Sequence, residues 1–404
     1  MLMKNRLLRD FAAEFLAGLK GKGEMLKMIK KFLIKLIHFW QRKTPLCRRL
    51  VLFESRGDLA DNSYPLFEYL LSINAPYKYV WVVADASKYK NSRQVKYVSQ
   101  GKTSFAAIWY FAKAKYCFYT HNYCGIEGKK GQKRIYLTHG FSYKDTKGLF
   151  FPPDFHTDIV CLSESHKRLE EYINPGSAQK VRILGYPRTD VLVSKNYKLP
   201  GEFEAKLCGC SKLFIWLPTY RSHNELQHDD SKQDRYDLLS PESLQIINSA
   251  LVASNSVMVV KFHPAQQLSK INVRGLSNVL VFSDADFAAK GIRLYDLLAR
   301  SDALITDFSS VFADYLLCDK PIAFDISDIG IKSDGLRGFV VDDPLQYMPG
   351  VHVCDASGIA KFISSVSEGR DDYAQERANQ RTALHKYTDG NSTRRILSCF
   401  GLID

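Results

Sequence analysis

The 404-residue sequence lacks several features that would assign it to a common class. No apolar run approaches the roughly 20 residues needed to span a bilayer. A signal peptide is not expected, because lysines interrupt the N-terminal apolar stretch and no small-residue cleavage site follows. Paired Cys-x-x-Cys motifs are absent, which leaves a structural zinc site without support. The lone Cys208-x-Cys210 is interpreted as two reduced thiols near a turn, and a reducing cytosol is the expected compartment.

Acidic residues are scarce in the first fifty residues. This stretch holds 13 Lys/Arg and three Asp/Glu, and so carries +10 of the net charge of +13. Residues 25–41 have helical periodicity, with Met25, Phe32 and Trp40 on one face and lysines on the other; residues 7–19 repeat the pattern more weakly. Such a helix is typical of an anionic lipid interface, and the alternative is a core-packing helix with a solvated basic face. The sequence predicts a membrane-associating segment over residues 1–46 and a peripheral location on the cytoplasmic face of the membrane.

A pI of about 9.1 also raises the possibility of a nucleic-acid-binding protein. The excess charge lies on one amphipathic segment, however, and no motif for stacking bases is evident. Nucleic acid is therefore not an expected partner.

Short apolar runs alternate with helical patterns from residue 49 onward, which predicts an α/β fold with mostly parallel sheets. Residues 194–201 interrupt the alternation and are the predicted linker. Two Rossmann-like halves facing a cleft, over residues 47–195 and 196–375, are the architecture of GT-B transferases, with residues 376–404 forming a helix that packs back on the core. The predicted strands are 50–54, 79–84, 116–119, 134–138, 158–162, 181–184, 213–217, 257–262, 279–282, 303–306 and 321–324. The predicted helices are 64–73, 104–114, 164–172, 241–254, 295–300, 309–317 and 371–386.

Histidines follow predicted strands in both halves. His139 follows strand 134–138, and His263 follows strand 257–262, which also contains Lys261. Ligands of open α/β sheets bind at the carboxyl ends of strands. An imidazole there can take a proton from an attacking hydroxyl or stabilise a departing phosphate, although a single loop histidine is usually structural. The two histidines are therefore predicted to form a catalytic or binding pair.

A second polar cluster follows the predicted strand 303–306. Asp307, Ser309 and Ser310 are residue types that begin helices, where backbone N–H groups attract phosphate; a simple helix cap is the equally weighted alternative. The lone Asp284-Ala-Asp286 is interpreted as a surface turn, and a divalent metal is left open.

Seven motifs follow one another along the chain: His139-Gly140 with Lys144, Gly185-Tyr-Pro-Arg-Thr-Asp190, Pro218-Thr-Tyr-Arg221, Lys261-Phe-His-Pro264, Leu304-Ile-Thr-Asp-Phe-Ser-Ser310 with Lys320-Pro-Ile322, Arg337-Gly-Phe339, and Asp389-Gly-Asn-Ser-Thr-Arg394. In this order they resemble the CDP-glycerol glycerophosphotransferase family of teichoic-acid and capsule synthesis. The family usually has Trp-His-Gly-Thr-Pro-Leu-Lys around the first histidine, where this chain has Thr138-His-Gly-Phe-Ser-Tyr-Lys144.

The resemblance implies a GT-B fold that binds CDP-glycerol in its C-terminal half and has two functional histidines, His139 and His263. It assigns Arg221, Lys261, Thr306, Asp307, Ser309, Ser310 and Arg337 to the donor side, and Gly140, Lys144 and Arg188 to the acceptor side. The implied reaction is transfer of glycerol phosphate to a lipid-linked primer or growing polymer with release of CMP, and no tightly bound cofactor is expected. Two alternatives stay open: the same chemistry with CDP-ribitol, and a GT-B glycosyltransferase that uses a nucleotide sugar.

Overall fold

The computed structural model of the chain describes residues 40, 43–55, 57–100, 104–121, 128–141, 155–218, 237–261, 274–327 and 340–404. Its strands are β1 Cys47–Glu54, β2 Lys78–Val83, β3 Val95–Ser99, β4 Ala114–Tyr119, β5 Lys133–Tyr136, β6 Asp158–Cys161, β7 Val181–Ile183, β8 Lys212–Leu217, β9 Ser256–Lys261, β10 Val279–Phe282, β11 Ala303–Thr306, β12 Ile322–Asp325 and β13 Val351–Val353. Its α-helices are α1 Ser63–Ser72, α2 Phe105–Lys113, α3 Glu164–Ile173, α4 Asp190–Ser194, α5 Gly201–Leu207, α6 Pro241–Ala253, α7 Asp284–Lys290, α8 Leu294–Arg300, α9 Val311–Tyr315, α10 Ala356–Ser367, α11 Ala374–Leu384 and α12 Ser392–Cys399.

The strands form two sheets in which every pair is parallel. The first sheet has seven strands in the order β3-β2-β1-β4-β5-β6-β7, and the second has six in the order β10-β9-β8-β11-β12-β13. The central strands are apolar along their length because parallel sheets are covered on both faces. This confirms the predicted α/β fold with parallel sheets. In both sheets the strand order reverses beside the first strand of the half, between β1 and β4 and between β8 and β11.

Apolar side chains from both sheets belong to one continuous cluster. Phe53 and Trp81 of the first sheet and Leu304 and Phe324 of the second are fully buried members of it. The opposite face of the first sheet packs separately under α2. Apolar side chains of the two halves therefore pack against one another, and such a contact limits their relative motion.

The last helix returns to the first half. The carboxylate of Asp190 accepts the N–H groups of Ser392 and Thr393, at 2.9 and 2.8 Å, at the start of α12. Phe400, after α12, packs edge-on against Phe118 of β4. Two motifs that lie about 200 residues apart in the sequence thus meet in the fold.

The predicted strands and helices agree with the structure over most of the described chain. The prediction missed β3 and β13, which are short edge strands, and the helices α4, α5, α7, α10 and α12. The interpretation of residues 284–286 as a surface turn was wrong. They form the first turn of α7, which begins with a capping box between Ser283 and Asp286.

The membrane-associating segment over residues 1–46 lies almost wholly outside the described residues. Among the described residues, no helix combines the length and the hydropathy required to cross a bilayer. Trp40 is described, and its indole stacks on Trp109 of α2 with ring centroids 4.8 Å apart.

Candidate active site between the two sheets

The carboxyl edges of the two sheets carry the polar side chains. In a doubly wound sheet the crevice for a ligand opens where the strand order reverses. In the first sheet this point lies between Glu54, at the end of β1, and Thr120-His121, directly after β4; His139 follows the neighbouring β5. In the second sheet it lies between the ends of β8 and β11, where Thr306 runs into Asp307.

Gly140 touches the second half directly. A Cβ atom at this position would lie 2.2 Å from Oγ of Ser310, and the glycine has φ +144°, which L side chains rarely adopt. Both the close approach and the dihedral angle therefore require glycine. The structure thus brings the predicted acceptor-side loop against the predicted donor-side serine.

Arg188 connects the two halves at the same point. Its guanidinium donates to Asp61 of the first half at 2.5 Å and to Asp314 of α9 at 2.7 and 3.0 Å. It also donates to the carbonyl of His139 at 3.1 Å. Arg188 is 7% exposed and Asp314 is fully buried. Burial opposes the charge of Arg188, but Asp314, Tyr295 and Asp61 raise its pKa well above the ordinary value. The predicted acceptor-side arginine is therefore a buried link between the halves.

His139 is exposed, and its ring contacts a buried tyrosine of β5. Its Nδ1 lies 3.1 Å from the hydroxyl of Tyr136, which is buried on β5. Burial, followed by nearby carboxylates, raises the pKa of Tyr136 well above the usual value, so the phenol stays neutral. A neutral phenol can accept a hydrogen bond from Nδ1–H, and in that tautomer Nε2 of His139 carries the lone pair that a general base needs.

His121 lies beside His139 and was not among the predicted site residues. Its ring centroid is 4.9 Å from that of His139, with the planes 33° apart. Its backbone N–H donates to Oε2 of Glu54 at 2.9 Å. A glutamate that ends an otherwise apolar strand, and a histidine after the adjacent strand, were the signals in the sequence that could have identified this pair.

In the second half, Lys261 forms an ion pair with Asp284 of α7. Its side chain is 14% exposed, and Nζ lies 5.6 Å from the ring centroid of Phe287. Part of its charge is therefore neutralised by the aspartate that the sequence assigned to a turn.

Two of the four predicted donor ligands at the end of β11, Thr306 and Asp307, are fully buried. The hydroxyl of Thr306 donates to the carbonyl of Leu217 at 3.0 Å, so it ties β11 to β8. Asp307 is fully buried, whereas Ser309 and Ser310 are partly exposed. Ser310 precedes α9 and makes no side-chain capping bond in the described structure. Because α9 has only five residues, its dipole adds little, and the two serine hydroxyls are the groups that could meet a phosphate.

Four predicted site residues lie outside the described residues: Lys144, Arg221, His263 and Arg337. Within the described ranges, no group of three or more His, Cys, Asp or Glu side chains could hold a metal ion. The eight cysteines described there form no disulfide with one another.

Two parallel sheets whose carboxyl edges meet at Gly140 and Ser310, with His139 next to this contact, define an α/β protein with a candidate transferase site. The chain belongs to the CDP-Glycerol:Poly(glycerophosphate) glycerophosphotransferase family, whose model matches residues 36–400. It is 24% identical over 366 residues to a teichoic acid poly(glycerol phosphate) polymerase of Staphylococcus epidermidis, covering 81% of this chain and 47% of the relative. It is 27% identical over 333 residues to such a polymerase of Bacillus spizizenii, covering 74% of this chain and 79% of the relative. The chain thus spans about half the length of the first of these relatives.

The fold is similar to that of the wall teichoic acid polymerase TagF. The two structures superpose with a TM-score of 0.76 over 99% of this chain and 97% of TagF, at 17% sequence identity.

Proposed function

We propose that this protein transfers glycerol phosphate from CDP-glycerol to a hydroxyl of a lipid-linked primer or a growing teichoic-acid or capsule-type polymer, and releases CMP. The observation that carries the proposal is the close approach of Gly140 to Ser310, because His139, the proposed proton acceptor, adjoins Gly140 and the hydroxyls of Ser309 and Ser310 are the proposed phosphate ligands. Family membership supports the donor class.

In the proposed reaction, the acceptor hydroxyl attacks the β-phosphorus of CDP-glycerol. The new oxygen–phosphorus bond forms as the bond to the CMP oxygen breaks, and the hydroxyl proton passes to Nε2 of His139. The hydroxyls of Ser309 and Ser310 donate to the donor phosphates, and Lys261 supplies positive charge for the departing CMP. His263, Arg221 and Arg337 stay predictions for the donor side, as Lys144 does for the acceptor side.

The protein is further proposed to work at an anionic membrane surface. Phe105 on α2 is 70% exposed, and its ring lies near Trp40 and Trp109. Nζ of Lys113 lies 4.7 Å from the Trp109 ring centroid. An exposed aromatic ring, with two half-buried ones and a lysine beside it, suits the interfacial region of a bilayer, where rings enter the headgroup layer and cations meet lipid phosphates. This aromatic patch adjoins Trp40, the last residue of the apolar face predicted for residues 25–41.

The deciding experiment incubates the protein with CDP-glycerol, CDP-ribitol or UDP-sugars and a lipid-linked acceptor, and measures release of CMP or UDP. We expect CMP release from CDP-glycerol. Release from CDP-ribitol alone would move the donor to the first alternative, and release of UDP would replace the proposal with the glycosyltransferase alternative.

Two histidine variants assign the sides of the site. His139→Ala should lower turnover on the order of 10²- to 10⁴-fold with CDP-glycerol binding nearly unchanged. His263→Ala should weaken binding of CMP as well. His352→Ala is the matched control, because this exposed histidine lies on β13 at the edge of the second sheet, where its Nε2 is 3.1 Å from the carbonyl of Met348. If His139→Ala loses donor binding and His263→Ala keeps it, the assignment of His139 to the acceptor side and His263 to the donor side is reversed.

A further inference from the structure

His121 lies at the carboxyl edge of the first sheet, beside the point where the strand order reverses. It follows β4, which pairs with β1 on one side and with β5 on the other. Glu54, Thr120 and His121 therefore occupy the same carboxyl edge as His139. The reaction proposed above uses only one of these two histidines.

The rings of His121 and His139 are close enough to affect each other's protonation. Their centroids are 4.9 Å apart, and each Nδ1 has a hydroxyl neighbour, Thr120 at 3.2 Å and Tyr136 at 3.1 Å. Two imidazolium ions at this separation repel, so a first proton on either ring disfavours a second. Such a pair titrates as a unit over two steps.

Charged groups from the surrounding elements bear on the pair. Glu54 on β1 accepts the backbone N–H of His121, and burial raises the pKa of this carboxyl well above its ordinary value. Arg188, before α4, donates to the carbonyl of His139, and its charge is balanced by Asp61 and Asp314. The repulsion between the two rings therefore follows from their separation, with Glu54 and Arg188 as described charged groups that hydrogen-bond to their backbones.

We infer that His121 is a positioning residue that forms with His139 a coupled pair holding a single proton, so that His139 stays available as a base at lower pH than a lone histidine would. When the proton resides on His121, the ring of His139 is neutral and can accept the hydroxyl proton of the acceptor. The role of the pair in catalysis rests on the proposed function. The coupling itself is a property of the two rings.

The test is an NMR titration of ring-labelled histidines in the full chain. In His121→Phe, which keeps an aromatic ring beside His139 but removes its nitrogens, the His139 midpoint should rise by about one pH unit. His121→Asn should give the same rise if the phenylalanine variant does not fold. His352→Phe is the control and should leave the midpoint in place. An unchanged His139 midpoint in a folded His121 variant would overturn the inference.

A second measurement separates this inference from the proposed function. The rate of CMP release is measured as a function of pH. In His121→Phe the acidic limb of this pH–rate profile should move to higher pH by the same amount as the His139 midpoint. If the wild-type protein releases no CMP, the proposed reaction fails while the titration still decides on the pair. If wild type is active and the acidic limb does not move in the variant, the pair does not serve catalysis.

Discussion

Replacing Arg188 by methionine should destabilise the protein far more than the loss of an ordinary ion pair. The substitution removes the guanidinium and leaves Asp314 fully buried, with the Tyr295 hydroxyl at 2.5 Å as its other side-chain donor among the described residues. At an effective dielectric constant of about 20, two unit charges about 4 Å apart attract by about 4 kcal/mol. Removing one partner of a buried pair typically costs about 3–5 kcal/mol, because the other charge is left uncompensated.

Urea denaturation measures this cost. We expect Arg188→Met to lower the free energy of unfolding by about 3–5 kcal/mol, and Arg188→Met combined with Asp314→Asn to cost less than the sum of the two single changes. Arg182→Met is the matched control. Arg182 pairs with Asp158 at 3.0 Å but is 47% exposed, and Asp158 keeps a second cation, Lys133. Arg182→Met should lower the free energy of unfolding by less than about 1 kcal/mol.

Two outcomes would refute the reasoning. If Arg188→Met costs no more than the Arg182 control, the pairs with Asp61 and Asp314 do not hold the halves together. If the double variant is strictly additive, Arg188 and Asp314 are not coupled, and the contact between the sheets is maintained by apolar packing alone.

Three further predictions test other parts of the structure. Gly140→Ala should reduce CMP release at least 10-fold, because the new Cβ meets a serine of the second half and the dihedral angle is unfavourable; unchanged turnover would exclude the close contact. Burial lowers the pKa of His156 to about 3, so below about pH 6.5 the unfolded chain takes up a proton that the folded chain does not. The free energy of unfolding should therefore fall by up to about 1.4 kcal/mol per pH unit toward pH 3, and His156→Gln should flatten this slope in urea titrations at several pH values. Phe105→Ser with Trp109→Ser should weaken binding to anionic vesicles, whereas the control Tyr172→Ser, at an exposed aromatic residue of α3, should not; equal binding by both would remove the aromatic patch from the proposed membrane contact.

The central strands could be predicted from sequence because burial on both faces produces continuous apolar runs, as in Leu213–Leu217. The edge strands β3 and β13 could not, because both carry exposed residues that interrupt an apolar run and β13 has only three residues. The turn assigned to residues 284–286 failed because Ser283 and Asp286 form a helix-starting box with aspartate, where glutamate is the commoner signal.

The sequence could identify those site residues whose role follows from their own chemistry and their position after a strand. His139 follows a strand, and strand ends bind ligands, so its position could be inferred. The partners of Arg188 could not, because Asp314 is 126 residues away in the sequence and only the tertiary fold brings it near. His121 was missed for a similar reason, since its relation to His139 depends on β4 and β5 being neighbours.

The return of α12 to the first half has a consequence for synthesis on the ribosome. Asp190 leaves the ribosome about 200 residues before its partner Ser392, which at about 5–20 residues per second is a delay on the order of 10–40 s. During that interval the nascent first half can pair its strands, but the surface later covered by Ile396, Leu397 and Phe400 has no cover from the chain's own α12. Cotranslational folding of the first half therefore ends in an open intermediate that chaperones could bind, and the second half is made before the first is complete.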